Sequence, residues 1–271
     1  MYIAITAYLS LCPIDGHADM SLLRPAASLN HQPGTALLLH RALDEQEQLD
    51  LYRKLCAGAC GTSEWSRLMS TESQPNDRPW PLCVWRHPFT EETNSALDMS
   101  SVFDLAGHLA ERAAGLLRAV SEASDDEREL LAKMLDTVEY DSLLSLVYPA
   151  DGRMVPHVDH GLNGLGLAVS LGAACTFSYG GTDVVLRSGD ALFGQFGAVS
   201  HEVSCTHSLD SAPTWWHGMS SEGGEGPSHF GRVRCTIQIR SLRHRDEGIA
   251  RAVVDQLGNQ LGRKIRRRET V

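Results

Sequence analysis

A mainly β fold with flanking helices is predicted for this chain, and three features predict it. From Ser142 to Ser241 strand-like segments dominate, separated by short turn sequences. The last of them, Arg232 to Arg240, alternates without a break. Val233, Cys235, Ile237 and Ile239 fall on one face, and Arg232, Arg234, Thr236, Gln238 and Arg240 on the other. Nine residues of period-2 patterning is a strong strand signal. Ahead of these strands lie three segments with helical spacing.

The first helix opens at Leu43-Asp44-Glu45-Gln46-Glu47, an acidic turn suited to a helix N-terminus, and continues one face through Leu49, Tyr52 and Cys56. Phe103, Ala106, Ala110, Ala113 and Leu117 mark the second; Leu130, Leu131, Met134 and Leu135 mark the third. Between the first two, the stretch from Gly61 to Asn94 holds Trp65, Trp80 and Trp85 with four prolines and reads as a loop. A second loop runs from about Thr206 to Gly231. Its composition (Pro213, Trp215, Trp216, Gly223, Gly224, Gly226) does not suit regular structure.

The ends of the chain differ in character. Met1 to Cys12 is apolar but too short to span a bilayer, and no Lys or Arg precedes Arg24. Neither a membrane span nor a secretory signal is expected. Residues 1–34 read as a poorly ordered or loosely packed extension, and 35–243 as the folded domain. Residues 244–271 form an amphipathic helix with the basic end Arg263-Lys264-Ile265-Arg266-Arg267-Arg268.

Composition bounds the function. A chain of 271 residues that is 42% hydrophobic can bury the core of one enzyme domain. Its formal charge of −10 argues against bulk attraction to polyanions. Seven cysteines, an odd number without paired zinc-type spacing, suit a reducing compartment, so an intracellular protein, cytoplasmic or nuclear, is expected.

The chemistry centres on His157, Asp159 and His201. A His-x-Asp pair followed at a distance by one His matches a facial triad, in which two imidazoles and a carboxylate hold Fe(II) on one side and leave the other positions open. In an extended segment residues i and i+2 project to the same side, so His157 and Asp159 can reach one ion while Val158 points away. With twelve histidines in the chain, this spacing alone is weak. The arginine face of the last strand has two readings: a half-exposed surface with its guanidinium groups in water, or a barrel interior that binds a small dicarboxylate.

The stretch from Tyr148 to Arg240 resembles the catalytic core of the AlkB-like 2-oxoglutarate/Fe(II) dioxygenases. The matching pieces occur in the family's order. Tyr148 precedes His157-Val158-Asp159; Val169-Ser170-Leu171-Gly172 and Phe177-Ser178-Tyr179-Gly180-Gly181 follow. Leu186-Arg187-Ser188-Gly189-Asp190 leads to His201, and Arg234-x-Thr236-x-Gln238-x-Arg240 takes the place of the Arg-x-Asn-x-Thr-x-Arg signature. The resemblance implies a double-stranded β-helix (jelly-roll) core. It also implies iron held by His157, Asp159 and His201, with 2-oxoglutarate as co-substrate and O₂ as oxidant. Tyr148 and Arg234 would hold the distal carboxylate of 2-oxoglutarate, and Arg240 would sit near its metal-chelating end.

The implied reaction is oxidative demethylation of an N-alkylated base in methylated DNA or RNA, with Trp85, Trp215 and Trp216 framing the entrance. This chain departs from the family at Leu146, Thr236 and Gln238, and has Gly161 where the DNA-repair members carry an acidic residue that reads the base. A protein side-chain hydroxylase or demethylase is therefore a second reading. A non-catalytic jelly-roll that only binds a partner is a third.

Overall fold

The computed structural model describes residues 20–25, 34–58, 79–88, 97–119, 126–205, 207–218, 232–243, 246 and 248. The expected C-terminal helix lies almost wholly outside the described residues, as do Trp65, Cys12 and Cys60.

In chain order the elements begin with β1 (Met20–Leu23), β2 (Ala36–Leu39), α1 (Glu45–Gly58), β3 (Trp80–Arg86), α2 (Ser100–Ala119) and α3 (Asp126–Thr137). The central strands are β4 (Ser142–Pro149), β5 (Arg153–His157), β6 (Gly166–Gly172), β7 (Cys175–Tyr179), β8 (Thr182–Leu186), β9 (Ala191–Gly194) and β10 (His201–Ser204). A short helix, α4 (Thr214–Gly218), precedes β11 (Arg232–Arg240). The acidic start of α1 is a reciprocal cap. Asp44 Oδ1 accepts the Glu47 N–H and Glu47 Oε2 accepts the Asp44 N–H, each at 2.8 Å.

Two antiparallel sheets carry the fold. One is seven-stranded in the order β1-β2-β9-β6-β11-β4-β3, and the other four-stranded in the order β5-β10-β7-β8. From β4 to β11 the chain passes back and forth between them, with only the β7–β8 hairpin staying in one sheet. That winding is the double-stranded β-helix of a jelly-roll.

The alternation of β11 explains why two cores exist. Its apolar face, with Cys235, Ile237 and Ile239, packs against α1, α2 and α3 in a cluster with Leu55, Leu109 and Leu131. Its arginine face looks the other way, toward the space between the sheets, where Leu146, Tyr148, Phe177 and Phe196 form a second cluster. Arg234 is 1% exposed and Arg240 5%, so the face is interior and not a wet surface.

Three sequence expectations are corrected. Met20–Leu23, assigned to the loose extension, pairs with β2 from Met20↔Leu39 to Leu23↔Ala36, and Met20 and Leu23 are buried. Four residues are too few for periodicity to declare a strand, and β2 supplies the partner. Trp80–Arg86, placed in a loop for its tryptophans and prolines, is an edge strand on β4 with two register shifts. Pro81 is tolerated there because an edge position does not require its missing N–H. The segment between His201 and β11 also contains a 3₁₀ turn (Leu209–Ser211) and α4, where irregular structure was expected. Among the described residues no helix is long and apolar enough to cross a membrane.

Candidate metal centre and the pocket beside it

β5 ends at His157 and β10 begins at His201, and the two residues are register partners across the four-stranded sheet. Asp159 lies in the turn after β5, where its N–H donates to the Phe196 carbonyl at 2.8 Å and its carbonyl accepts the Leu162 N–H at 3.0 Å. Gly197 lets this turn close. A Cβ there would lie 1.5 Å from the Leu162 carbonyl oxygen, so no other residue fits without moving the turn that carries Asp159.

The three side chains converge. Asp159 Oδ1 is 3.7 Å from His157 Nε2 and 3.9 Å from His201 Nε2, and one ligand atom from each residue lies within 4.8 Å of the others. Both imidazoles are oriented from behind. Nδ1 of His157 donates to the Val155 carbonyl at 2.8 Å, and Nδ1 of His201 to the Val199 carbonyl at 3.1 Å. A carbonyl can only accept, so each Nδ1 carries the proton and each Nε2 offers a lone pair inward. Burial pushes the His201 imidazole down to about 4, keeping it in the neutral form that binds metal. Burial, the largest single influence, disfavours the Asp159 carboxylate, but the Arg240 guanidinium and the two imidazoles together outweigh it, and the net result is a carboxyl held below its usual range.

The donor set fits a divalent iron: two neutral imidazoles and one carboxylate, with the remaining directions open toward a cavity. That cavity is lined by both histidines and, further in, by Tyr148, Arg234, Gln238 and Phe177. Tyr148 and Arg234 are register partners on β4 and β11, and both are buried. Arg234 Nη1 donates to Ser170 Oγ, while its Nε and the Tyr148 hydroxyl have no hydrogen-bond partner. Among the described residues no carboxylate pairs with this buried cation. Such an arrangement is costly unless an anion completes it. The residues present therefore fit the carboxylate of a small acid.

Arg240 is placed differently. Its Nε donates to Asp159 Oδ2 at 3.0 Å and its Nη2 is ion-paired with the same oxygen at 2.9 Å, beside the candidate metal ligands. Ser170, Gly166 and Phe196 were given no role from sequence. Ser170 carried the readable signal, as the one hydroxyl in the otherwise apolar run Gly166–Gly172.

The three tryptophans expected at the entrance are not among the residues lining this cavity. Trp216 is 2% exposed and, with Trp215, packs at a tilt against Tyr52 of α1 at centroid distances of 4.9 and 5.7 Å respectively. Trp85 packs edge-on against Phe103 of α2 and donates Nε1 to the Leu97 carbonyl at 3.1 Å. All three pack with the helical core cluster. The physical reason is area. Indoles of an edge strand and a short helix bury more surface against α1 and α2 than they would at an open mouth.

No family model matches the chain. A probable lanosterol 14-alpha demethylase of Acanthamoeba polyphaga mimivirus is 24% identical over 222 residues, which cover 77% of this chain but 26% of that protein. The chain thus spans about a quarter of that relative's length. An oxidoreductase of the 2OG-Fe(II) oxygenase family from Burkholderia pseudomallei superposes with a TM-score of 0.39 at 14% identity, covering 78% of this chain and 86% of its own. A predicted oxalate decarboxylase from Thermotoga maritima superposes with a TM-score of 0.26 at 16% identity, over 37% of this chain and 66% of its own. These likenesses are too distant to place the chain in a family, and the chemistry is carried by the site's own residues.

Proposed function

We propose that this chain is an Fe(II)- and 2-oxoglutarate-dependent oxygenase. One observation carries the reading: both histidines of a His-Asp-His cluster line the same cavity between the two sheets as a buried guanidinium that, among the described residues, has no carboxylate partner. His157, Asp159 and His201 would hold the iron, and Tyr148 and Arg234 would take the distal carboxylate. When bound, iron and 2-oxoglutarate supply the O₂-dependent oxidation of a substrate C–H bond, with succinate and CO₂ as co-products. The chain's own contribution is placement. The Nδ1–H bonds aim both imidazoles, and Tyr148 and Arg234 set the co-substrate's direction. Met154, Phe177, Leu186 and Val203 keep the cavity wall apolar and exclude water.

For the substrate, the order of motifs from Tyr148 to Arg240 supports an AlkB-like demethylation of an N-alkylated base in DNA or RNA, released as formaldehyde from the hydroxylated methyl group. A second reading, hydroxylation or demethylation of a protein side chain, is favoured by one feature. Among the described residues no indole lines the cavity for a base to stack on, whereas Met154, Leu186 and Val203 form an aliphatic wall. The test is incubation with Fe(II), 2-oxoglutarate and either methylated single-stranded oligonucleotides or a peptide library, with succinate and product masses measured. Demethylated nucleosides support the first reading and oxidised peptides the second. No succinate from any substrate class would sink the oxygenase assignment.

A further inference from the structure

We infer that Arg240 is a positioning residue for the metal ligand Asp159 and not a clamp for the co-substrate. The inference rests on the oxygenase reading. A guanidinium has five N–H donors. Three of those on Arg240 make hydrogen bonds inside the protein, Nε to Asp159 Oδ2 and Nη1 to the carbonyls of Leu167 at 3.0 Å and Ile239 at 3.2 Å, and Nη2 is ion-paired with the same Asp159 oxygen at 2.9 Å. Both edges of the fork are thereby engaged, and no free pair is left to grip a second carboxylate through two parallel bonds. On Arg234, by contrast, only the bond to Ser170 is made among the described residues, and the rest of the fork is open. Two arginines six positions apart on one strand face thus have opposite roles.

The geometry also says what Arg240 does to Asp159. Both of its bonds fall on Oδ2, and the other oxygen, Oδ1, is the one nearest His157 and His201. The carboxylate is thereby divided, one oxygen for the guanidinium and one for the ion. Oδ1 is thus the oxygen that would be offered to an ion held with the two histidines. The guanidinium is itself fixed. It lies 4.3 Å from the centre of the Phe196 ring, and Gly166 provides its space. A Cβ on Gly166 would come within 2.9 Å of Arg240 Cδ and 2.6 Å of Phe196 Cδ2. Phe196 in turn donates no side-chain bond but accepts the Asp159 N–H through its carbonyl, so one residue supports both partners of the pair.

The experiment separates the two roles by titration. Mn(II) binding to the whole protein is measured calorimetrically, followed by 2-oxoglutarate binding to the Mn(II)-saturated protein, for wild type, Arg240→Gln, Arg240→Lys and Arg234→Met. Arg240→Gln should weaken Mn(II) by roughly 10- to 100-fold, the usual cost of removing a partner that orients a ligand. Its 2-oxoglutarate affinity at saturating Mn(II) should stay within about threefold of wild type. Arg240→Lys keeps the charge but offers no fixed fork, and should fall between the two on Mn(II) affinity. It also serves as the readout if the glutamine variant fails to fold. Arg234→Met should do the opposite, losing 2-oxoglutarate with Mn(II) binding intact. Lost 2-oxoglutarate affinity with unchanged Mn(II) affinity in the Arg240 variants would overturn the inference. A wild type that takes up no Mn(II) would overturn the oxygenase reading itself, and the inference with it.

Discussion

Tyr148 and Arg234 sit opposite one another on adjacent antiparallel strands, with the guanidinium carbon 5.8 Å from the centre of the phenol ring. Each leaves a buried polar atom without a partner, the hydroxyl in one case and Nε in the other. Burial also pushes the Tyr148 phenol up, so it remains a neutral donor. A cation and a hydroxyl donor that share one buried end of a cavity are what the proposed anion subsite needs.

If that subsite holds the distal carboxylate, Arg234→Ala should weaken 2-oxoglutarate by roughly 2–4 kcal/mol, the scale of breaking a desolvated charge pair. Tyr148→Phe removes one bond to a charged group and should cost about 1.5–3 kcal/mol. Calorimetric titration of the metal-loaded protein measures both. Equal affinity in wild type and Arg234→Ala would move the co-substrate elsewhere.

The candidate metal ligands should separate binding from folding. His157→Ala and His201→Ala are each expected to abolish Mn(II) uptake and succinate formation. His157 is only half-buried, so its loss should barely change stability, whereas His201, packed beside Phe177 and Phe196, should cost roughly 1–3 kcal/mol. Urea unfolding of the metal-free proteins checks the difference. Full turnover by either variant would remove it from the site.

Trp216 should matter for stability and not for the reaction. Trp216→Ala deletes a buried indole between Tyr52 and Gly172, and is expected to cost about 3–5 kcal/mol. Affinity for 2-oxoglutarate and for methylated oligonucleotides should not change at a temperature where the variant is folded. A selective loss of oligonucleotide binding would return Trp216 to the substrate site.

Stability should fall on the acid side of neutrality. Burial pushes His87 down to about 4 from its ordinary 6.5. Between these values the unfolded chain takes up a proton that the folded chain refuses, so stability rises with pH across the window. The contribution is complete above pH 6.5 and gone near pH 4, with a slope of up to about 1.4 kcal/mol per pH unit. His201 shares the window in metal-free protein, so His87→Asn should reduce the slope without removing it. Chemical denaturation at both ends of the window measures it.

Sequence alone determined what depends on local period and chemistry. The unbroken alternation from Arg232 to Arg240 states which residues share a face, and the His157-Val158-Asp159 spacing states which can reach a common ion. The apolar stripes of α2 and α3 are likewise local properties. Tertiary structure decided which way those faces look. Alternation is the same for a strand with its arginines in water and for one with them inside a barrel, and only the second sheet makes the face interior. It also decided that Met20–Leu23 is a strand, because four residues gain that state from β2. Trp85 of β3 and the two tryptophans of α4 went to the helical side because α1 and α2 offered more surface there than the cavity mouth. The division of the Asp159 carboxylate between Arg240 and the histidines was beyond sequence for the same reason. It depends on which oxygen faces which neighbour, and that is set by residues 81 positions apart meeting across the space between two sheets.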